Sequence, residues 1–301
     1  MNPNRSIRNL ASMALIATAL AGLALPATAR GEEQAGGLSL SYSAGVDFVT
    51  QYFFRGILQE DAGFIAQPWA EVGANLYSGN EGDALNSIDV SFGTWHSIHS
   101  EQTGTDDDGP KSLYEADLYT GVSFGLYDNW AAGVVYTLYN SPNSAFDDVQ
   151  DIQINVSYDD SGLWGNMGKS IPGFSGLQPN VTILFETKNA ADGAHEGVYL
   201  QIGIEPSFTP LSNGNLKDLT VSIPVTLGLS ADDYYESPTN GGDESFGFLE
   251  TGINFSYPLN ERWEISAGPY FIFLGNTAED FNDGDDNSFE VIGKLGISVS
   301  F

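Results

Sequence analysis

The chain has 301 residues, no cysteine, and 40 acidic against 10 basic side chains, a formal charge of −30. Without thiols there is neither a disulfide framework nor thiolate chemistry, and so acidic a chain has little with which to neutralise nucleic-acid phosphates. Past Leu25 no apolar run approaches the roughly 20 residues of a spanning helix, which excludes a helical membrane bundle.

The N-terminus carries Arg5 and Arg8, an apolar run from Leu10 to Leu25, and then Pro26-Ala27-Thr28-Ala29. A charged region, an apolar region and a small-x-small site predict a secretory signal peptide over residues 1–29, cleaved after Ala29. The alternative is an inner-membrane anchor, for which the run is slightly short. Residues 30–37 are predicted to be a flexible leader, and 38–301 a single β domain.

Twelve segments of alternating polarity follow, separated by turn signals. They cover 38–54, 63–77, 88–98, 114–125, 130–139, 149–159, 177–187, 197–208, 219–229, 246–257, 263–274 and 290–301. Most match the roughly 9–11 residues of a tilted membrane-crossing strand, and none holds a helical period. The fold class this implies is all-β, a transmembrane antiparallel barrel of about 12 strands. An even count puts both termini on one side, the periplasm in a bacterial outer membrane.

The odd-numbered connections, 56–62, 99–113, 140–148, 188–196, 230–245 and 275–287, are polar and acidic. The even set includes two tight turns, 126–129 and 258–262. Long outside and short inside is the habit of such barrels. Residues 78–87, 160–176 and 209–217 are longer than that habit, and 160–176 is the stretch where a short helix or an extra hairpin fits.

One parity is apolar: Leu40, Tyr42, Val46 and Phe48, then Val90 and Phe92, and so on to Ile265 and Phe271. Tyr77, Phe124, Trp130, Tyr158, Phe208, Tyr257, Trp263 and Phe301 gather at one predicted end, as an aromatic girdle at a membrane interface does. A soluble β-sandwich has no reason to collect aromatics there. The last segment places Val291, Leu295, Ile297, Val299 and Phe301 on one face, with Ile292 alone breaking the pattern. It resembles the closing strand of outer-membrane barrels, whose terminal aromatic, here Phe301, is the signal read by the barrel assembly machinery.

The opposite parity carries Asp47, Glu71, Asp89, Glu115, Asp117, Glu186, Glu205, Glu250, Glu264 and Glu290, with Arg55 and Lys294 its only bases. Charge facing lipid costs a few kcal/mol near the midplane, so these residues are expected to line the lumen. Ten acids and two bases cannot be paired off, so the lumen is expected to be wet. Gly45, Gly73, Gly93, Gly121, Gly125, Gly133, Gly203, Gly268 and Gly296 share the inward parity and are expected to leave space. Arg55 is expected either to anchor the first strand to Glu60 or Glu115, or to form one wall of a constriction. Trp69, Trp95 and Tyr119 could stack against a solute or pack against a loop folded inward.

The stretch between Val46 and Tyr158 resembles the TorF family of porins. The resemblance is carried by Tyr52-Phe53-Phe54-Arg55-Gly56-Ile57 with Gln59, by Gln67, Gly93-Thr94-Trp95 and Glu115-Ala116-Asp117-Leu118-Tyr119 with Gly121, and by Gly133, Tyr136 and Tyr139. It implies an outer-membrane barrel with a pore and no known substrate. The acidic loops and longer second half depart from the family.

Enzymatic signatures are weak. His96, His99 and His195 are the only histidines, and no outward serine pairs with the outward-parity His96. Gly168-Lys169-Ser170 lacks the first glycine of a phosphate loop, and residues 279–290 lack both the ligand pattern and the helices of a calcium hand. Loose divalent binding by the acids at 106–108 or 283–286, bridging to lipopolysaccharide, is a further expectation. The sequence thus points to a non-enzymatic outer-membrane channel without cofactor or dedicated metal, passing small hydrophilic solutes by diffusion with a preference for cations. Its partners would be outer-membrane lipid, lipopolysaccharide and the assembly machinery. A non-conducting surface or structural barrel is the alternative, and a soluble exported sandwich a third reading.

Overall fold

The computed structural model describes residues 39–80, 82–103, 111–211, 213–236, 243–282 and 287–301. The signal peptide predicted over 1–29, the leader 30–37 and the acidic runs 106–108 and 283–286 lie outside them.

Twelve antiparallel strands form the barrel: β1 (Ser39–Val49), β2 (Ile65–Ser78), β3 (Ser87–His99), β4 (Leu113–Leu126), β5 (Trp130–Tyr139), β6 (Val149–Tyr158) and β7 (Asn180–Lys188). β8 (Val198–Ile204, resuming as Ser207–Phe208), β9 (Thr220–Ser222, then Val225–Asp232), β10 (Phe246–Gly252, then Asn254–Pro258), β11 (Trp263–Leu274) and β12 (Phe289–Ser300) complete it. Each strand pairs with its neighbour in sequence, and β1 pairs with β12 from Ser43↔Ser300 to Val49↔Lys294. Closure leaves no free edge. Pro206 and Pro224 have no N–H to give to a ladder, and β8 and β9 are interrupted beside them.

The alternation read from sequence is the alternation of faces. Leu40, Phe92, Leu118, Ile154, Ile183, Ile202, Phe255, Ile265 and Val291 stand exposed on the outer surface, a continuous apolar belt. So broad a belt is stable against hydrocarbon, and closed strands satisfy their backbone groups there, so the barrel is a transmembrane one. Among the described residues no helix is long and apolar enough to cross a membrane.

The ends differ. At the terminal end, where Ser39 and Phe301 lie, Trp130 and Tyr158 pack at 4.7 Å and Arg262 caps the Phe301 ring at 5.0 Å. The backbones of Tyr42 and Phe301 exchange hydrogen bonds of 3.3 and 2.9 Å. The 160–176 stretch holds a 3-10 turn (Ser161–Trp164) and the short helix α1 (Gly165–Ser170), as its length suggested. Asp160 fastens it, accepting from Trp164 Nε1 at 2.9 Å and from the backbone of Leu177 and Gln178. At the other, distal end, helix α2 (Asn276–Asp280) sits in the last loop, with Thr277 and Ala278 buried.

One expected boundary is wrong. The first strand does not run through to Phe54 but ends at Val49, and the chain then makes a separate hairpin in which Tyr52–Phe54 pairs with Ile57–Glu60. Arg55 (φ 49°) and Gly56 (φ 87°) form its turn. Two successive positive φ values match a two-residue hairpin turn, and Gly is the residue that adopts them without strain. The hairpin folds into the lumen because its apolar residues, Tyr52, Phe53, Phe54 and Ile57, are all buried there.

Candidate functional site: a plugged, acid-lined lumen

Inside the distal half the barrel has a core like that of a soluble domain. The hairpin rings meet Trp95, Tyr114, Tyr139, Tyr199 and Phe248 from the wall, and Tyr234 and Tyr235 from the 233–245 loop. Tyr52 packs on Trp95 at 5.5 Å, and Phe54 lies edge-on to Tyr139 at 5.3 Å. Every strand contributes an inward residue shielded from water, from Val49 on β1 through Thr137 and Asp151 to Ile292 on β12. The expectation of a wet lumen is therefore corrected for this half, because an aromatic hairpin occupies it.

Arg55 lies at the centre and is 3% exposed. Its Nη1 donates to Tyr234 Oη at 2.8 Å, and its Nη2 donates to Tyr139 Oη at 2.8 Å and Asp151 Oδ2 at 2.9 Å. Tyr139 also donates to Asp151 at 2.8 Å, and Tyr235 donates to the Arg55 carbonyl at 2.8 Å. The guanidinium stands 4.5 Å from the Phe54 ring and 5.4 Å from that of Tyr199. Burial pushes the Tyr234 and Tyr235 phenols well above their ordinary range, so both remain neutral hydroxyls. A buried charge needs a partner and satisfied donors, and Arg55 has both. The expected partners were Glu60 or Glu115; the actual one is Asp151. Arg55 anchors the hairpin to β6 and does not face an open channel.

A second chain of contacts fastens the hairpin to the 100–112 loop. Ser97 Oγ and His99 Nε2 are 2.9 Å apart, His99 Nδ1 lies 2.9 Å from Thr103 Oγ1, and Thr103 donates to Glu60. Glu60 is also 3.5 Å from His99 itself. These are the residue types of a nucleophile–base pair, but Ser97 and His99 are buried, and neither is in the lining of the cavity at the distal mouth. Their evident work is structural.

The other inward residues divide by depth. Glu115 accepts from Tyr52 Oη at 2.8 Å, and both it and Asp117 are buried beneath the hairpin. Glu186 accepts from the backbone of Ala191 and Gly197, so it holds the 189–197 loop in place and does not line a path. Glu290 accepts from Gln51 and Asn287. Lys294 lies 4.4 Å from the Tyr270 ring, within electrostatic reach of Glu250 and Asp47. Towards the terminal end Glu71, Asp89, Glu205 and Glu264 are half-buried on the inner wall, and Asn75 donates to Asp89 at 2.8 Å.

Of Trp69, Trp95 and Tyr119, expected either to stack against a solute or to pack against a loop folded inward, Trp95 does the second. Trp95 packs on the hairpin's Tyr52, Trp69 covers Gly45, where a Cβ would fall 2.8 Å from the indole, and Tyr119 covers Gly93. The inward glycines are likewise corrected in part. At Gly45 and Gly93 the missing side chain makes room for a neighbouring ring, not for a channel.

Residue-type reasoning missed Asp151 and the Tyr199, Tyr234 and Tyr235 cluster, and Tyr139 entered only through the resemblance. Asp151 had a signal, since Ile152, Ile154 and Val156 put it on the inward parity. Tyr234-Tyr235 had a weaker one, two adjacent aromatics inside an otherwise acidic loop.

Between the hairpin and the 140–148 and 189–197 loops lies an open cavity of about 430 Å³ with Glu115 in its lining. Among the described residues no group of three or more metal-binding side chains is assembled.

No family model and no curated relative matches the chain. Among solved structures the chain is similar to the NanC porin (12% identity, 87% of this chain and 99% of that one, TM-score 0.41). It is also similar to the KdgM porin in complex with disordered oligogalacturonate (9%, 87% and 99%, 0.39). A third likeness is to LpxR from Salmonella typhimurium (10%, 85% and 99%, 0.44).

Proposed function

We propose that the chain is an outer-membrane, porin-like barrel with its distal end outside. In this reading its lumen, closed at rest by the Arg55 hairpin, passes small hydrophilic solutes with a preference for cations. The observation that carries the proposal is the division of faces in a closed barrel. Lipid-compatible residues stand outside, while inside Asp47, Glu71, Asp89, Glu205, Glu250 and Glu264 accompany Lys294, and the other inward base, Arg55, is engaged with Asp151. Such a wall attracts cations and repels anions wherever water enters it. Outer-membrane lipid and lipopolysaccharide are the proposed surroundings, and Phe301 the proposed handle for assembly.

The test is planar-bilayer conductance under a potassium chloride gradient, with wild type compared with Arg55→Ala/Tyr235→Phe. The double variant removes the guanidinium and the hydroxyl that hold the hairpin turn. The proposal expects rare or small steps from wild type, and frequent steps with a cation-directed reversal potential from the variant. The dry distal half favours a second reading, a barrel that never conducts. Clean insertion without steps from either protein would establish that reading and overturn the first.

A further inference from the structure

The cavity at the distal mouth has a composition that nothing in a resting channel requires. Its volume, about 430 Å³, falls in the range of small-molecule sites. Phe54 of the hairpin and Phe146 of the 140–148 loop supply aromatic surface to its lining. Glu115 is in the lining, buried, with Tyr52 its hydrogen-bond donor at one oxygen. Beside it Asp117, fully buried, lies against Glu115 and the Asn140 backbone without a hydrogen bond of good geometry. Asp147 and Glu196 are exposed at the rim, and Asp192 is held in the wall by the backbone of Ala194 and Glu236. Among the described residues of the lining there is no lysine, arginine or histidine. Arg55, behind Phe54, is already engaged with Asp151.

We propose that this cavity binds a small organic ammonium ion bearing an apolar group. Glu115 and Asp117 are adjacent buried acids, and Arg55, within electrostatic reach of Glu115, is already shared with Asp151, so an ammonium placed against Glu115 offsets the cost of a charge buried there. Aromatic faces attract the same charge, and they cover the ligand's apolar part. A bare metal ion makes no use of the rings, and an anion is repelled by every charged group in the lining. The site stands whether or not the lumen conducts, so failure of the conductance proposal leaves it intact.

The experiment is calorimetric titration of benzyltrimethylammonium into the refolded full chain in a neutral maltoside micelle, with benzyl alcohol and tetramethylammonium as controls. The expected result is saturable one-to-one binding, at least about tenfold tighter than either control. Glu115→Gln and Phe146→Ala should each weaken it about tenfold, while Glu264→Gln, a carboxylate at the opposite end of the lumen, leaves it unchanged. Phe146 is in a loop, so its variant reads the site even if the buried substitution at Glu115 prevents folding. Absence of saturable heat overturns the proposal. So does an affinity indifferent to Phe146→Ala, or one lost equally in Glu264→Gln, which would place the cation in the general field of the lumen.

Discussion

Replacing Arg55 with alanine removes the donor to Tyr234, Tyr139 and Asp151 and leaves the Asp151 carboxylate buried without its cation. Breaking one side of a buried pair typically costs about 3–5 kcal/mol. We expect the urea midpoint of unfolding, followed by the gel shift between folded and unfolded barrel, to fall accordingly in Arg55→Ala. Arg55→Lys should recover only part of the loss, since an ammonium on a thinner stem cannot reproduce a planar fork stacked on Phe54. Gly93 gives a second prediction. A methyl group there collides with the Tyr119 ring, so Gly93→Ala should destabilise the barrel by about 1–3 kcal/mol. Gly93→Ala added to Tyr119→Ala should cost nearly nothing further, and a double-mutant cycle on the same unfolding assay measures the difference.

The strands were largely legible as elements, because a half-buried strand writes its facing into a period of two. All twelve predicted segments correspond to strands, and 160–176 contains the short helix that its length allowed. The hairpin was not legible as an element. Tyr52, Phe53 and Phe54 are three apolar residues in a row, which reads as a strand end but is also what a buried plug needs, and periodicity cannot separate the two. The pairing of Arg55 with Asp151 bridges 96 residues and leaves no local trace. At this scale the 189–197 and 233–245 loops meet through His195 Nδ1 and Glu236 Oε2, 2.8 Å apart. The hydrogen bond and the charge of Glu236 raise the His195 pKa, with Asp233 and Asp192 adding to the effect. A raised histidine contributes fully below its ordinary value near 6.5 and loses that contribution as pH climbs through the raised one. Proteolytic nicking of the two loops should therefore increase as pH rises from 6 to 9. In His195→Ala the rate of nicking should be high and flat over the same range.

At the scale of the whole molecule, sequence predicted a wet tube and the structure is a barrel with two regimes. The terminal half keeps half-buried carboxylates on its wall, as the excess of inward acids required. The distal half is a dry aromatic core built by a hairpin and a loop that both turn inward. Composition could not show this, because the same tyrosines and phenylalanines serve equally as interface girdle or as plug, and the choice is made by tertiary packing. A chain with no cysteine allows the two regimes to be probed cleanly. Thr137 is fully buried on β5 with its hydroxyl unpartnered, while Ser123 is half-buried on the inner wall of β4 towards the terminal end. The most direct measurement is therefore the labelling rate of Thr137→Cys and Ser123→Cys by a cationic methanethiosulfonate in detergent-solubilised barrel. Ser123→Cys is expected to label readily and Thr137→Cys orders of magnitude more slowly, with Arg55→Ala closing the gap. Equal, rapid labelling of both positions with Arg55 in place would contradict the sealed distal lumen.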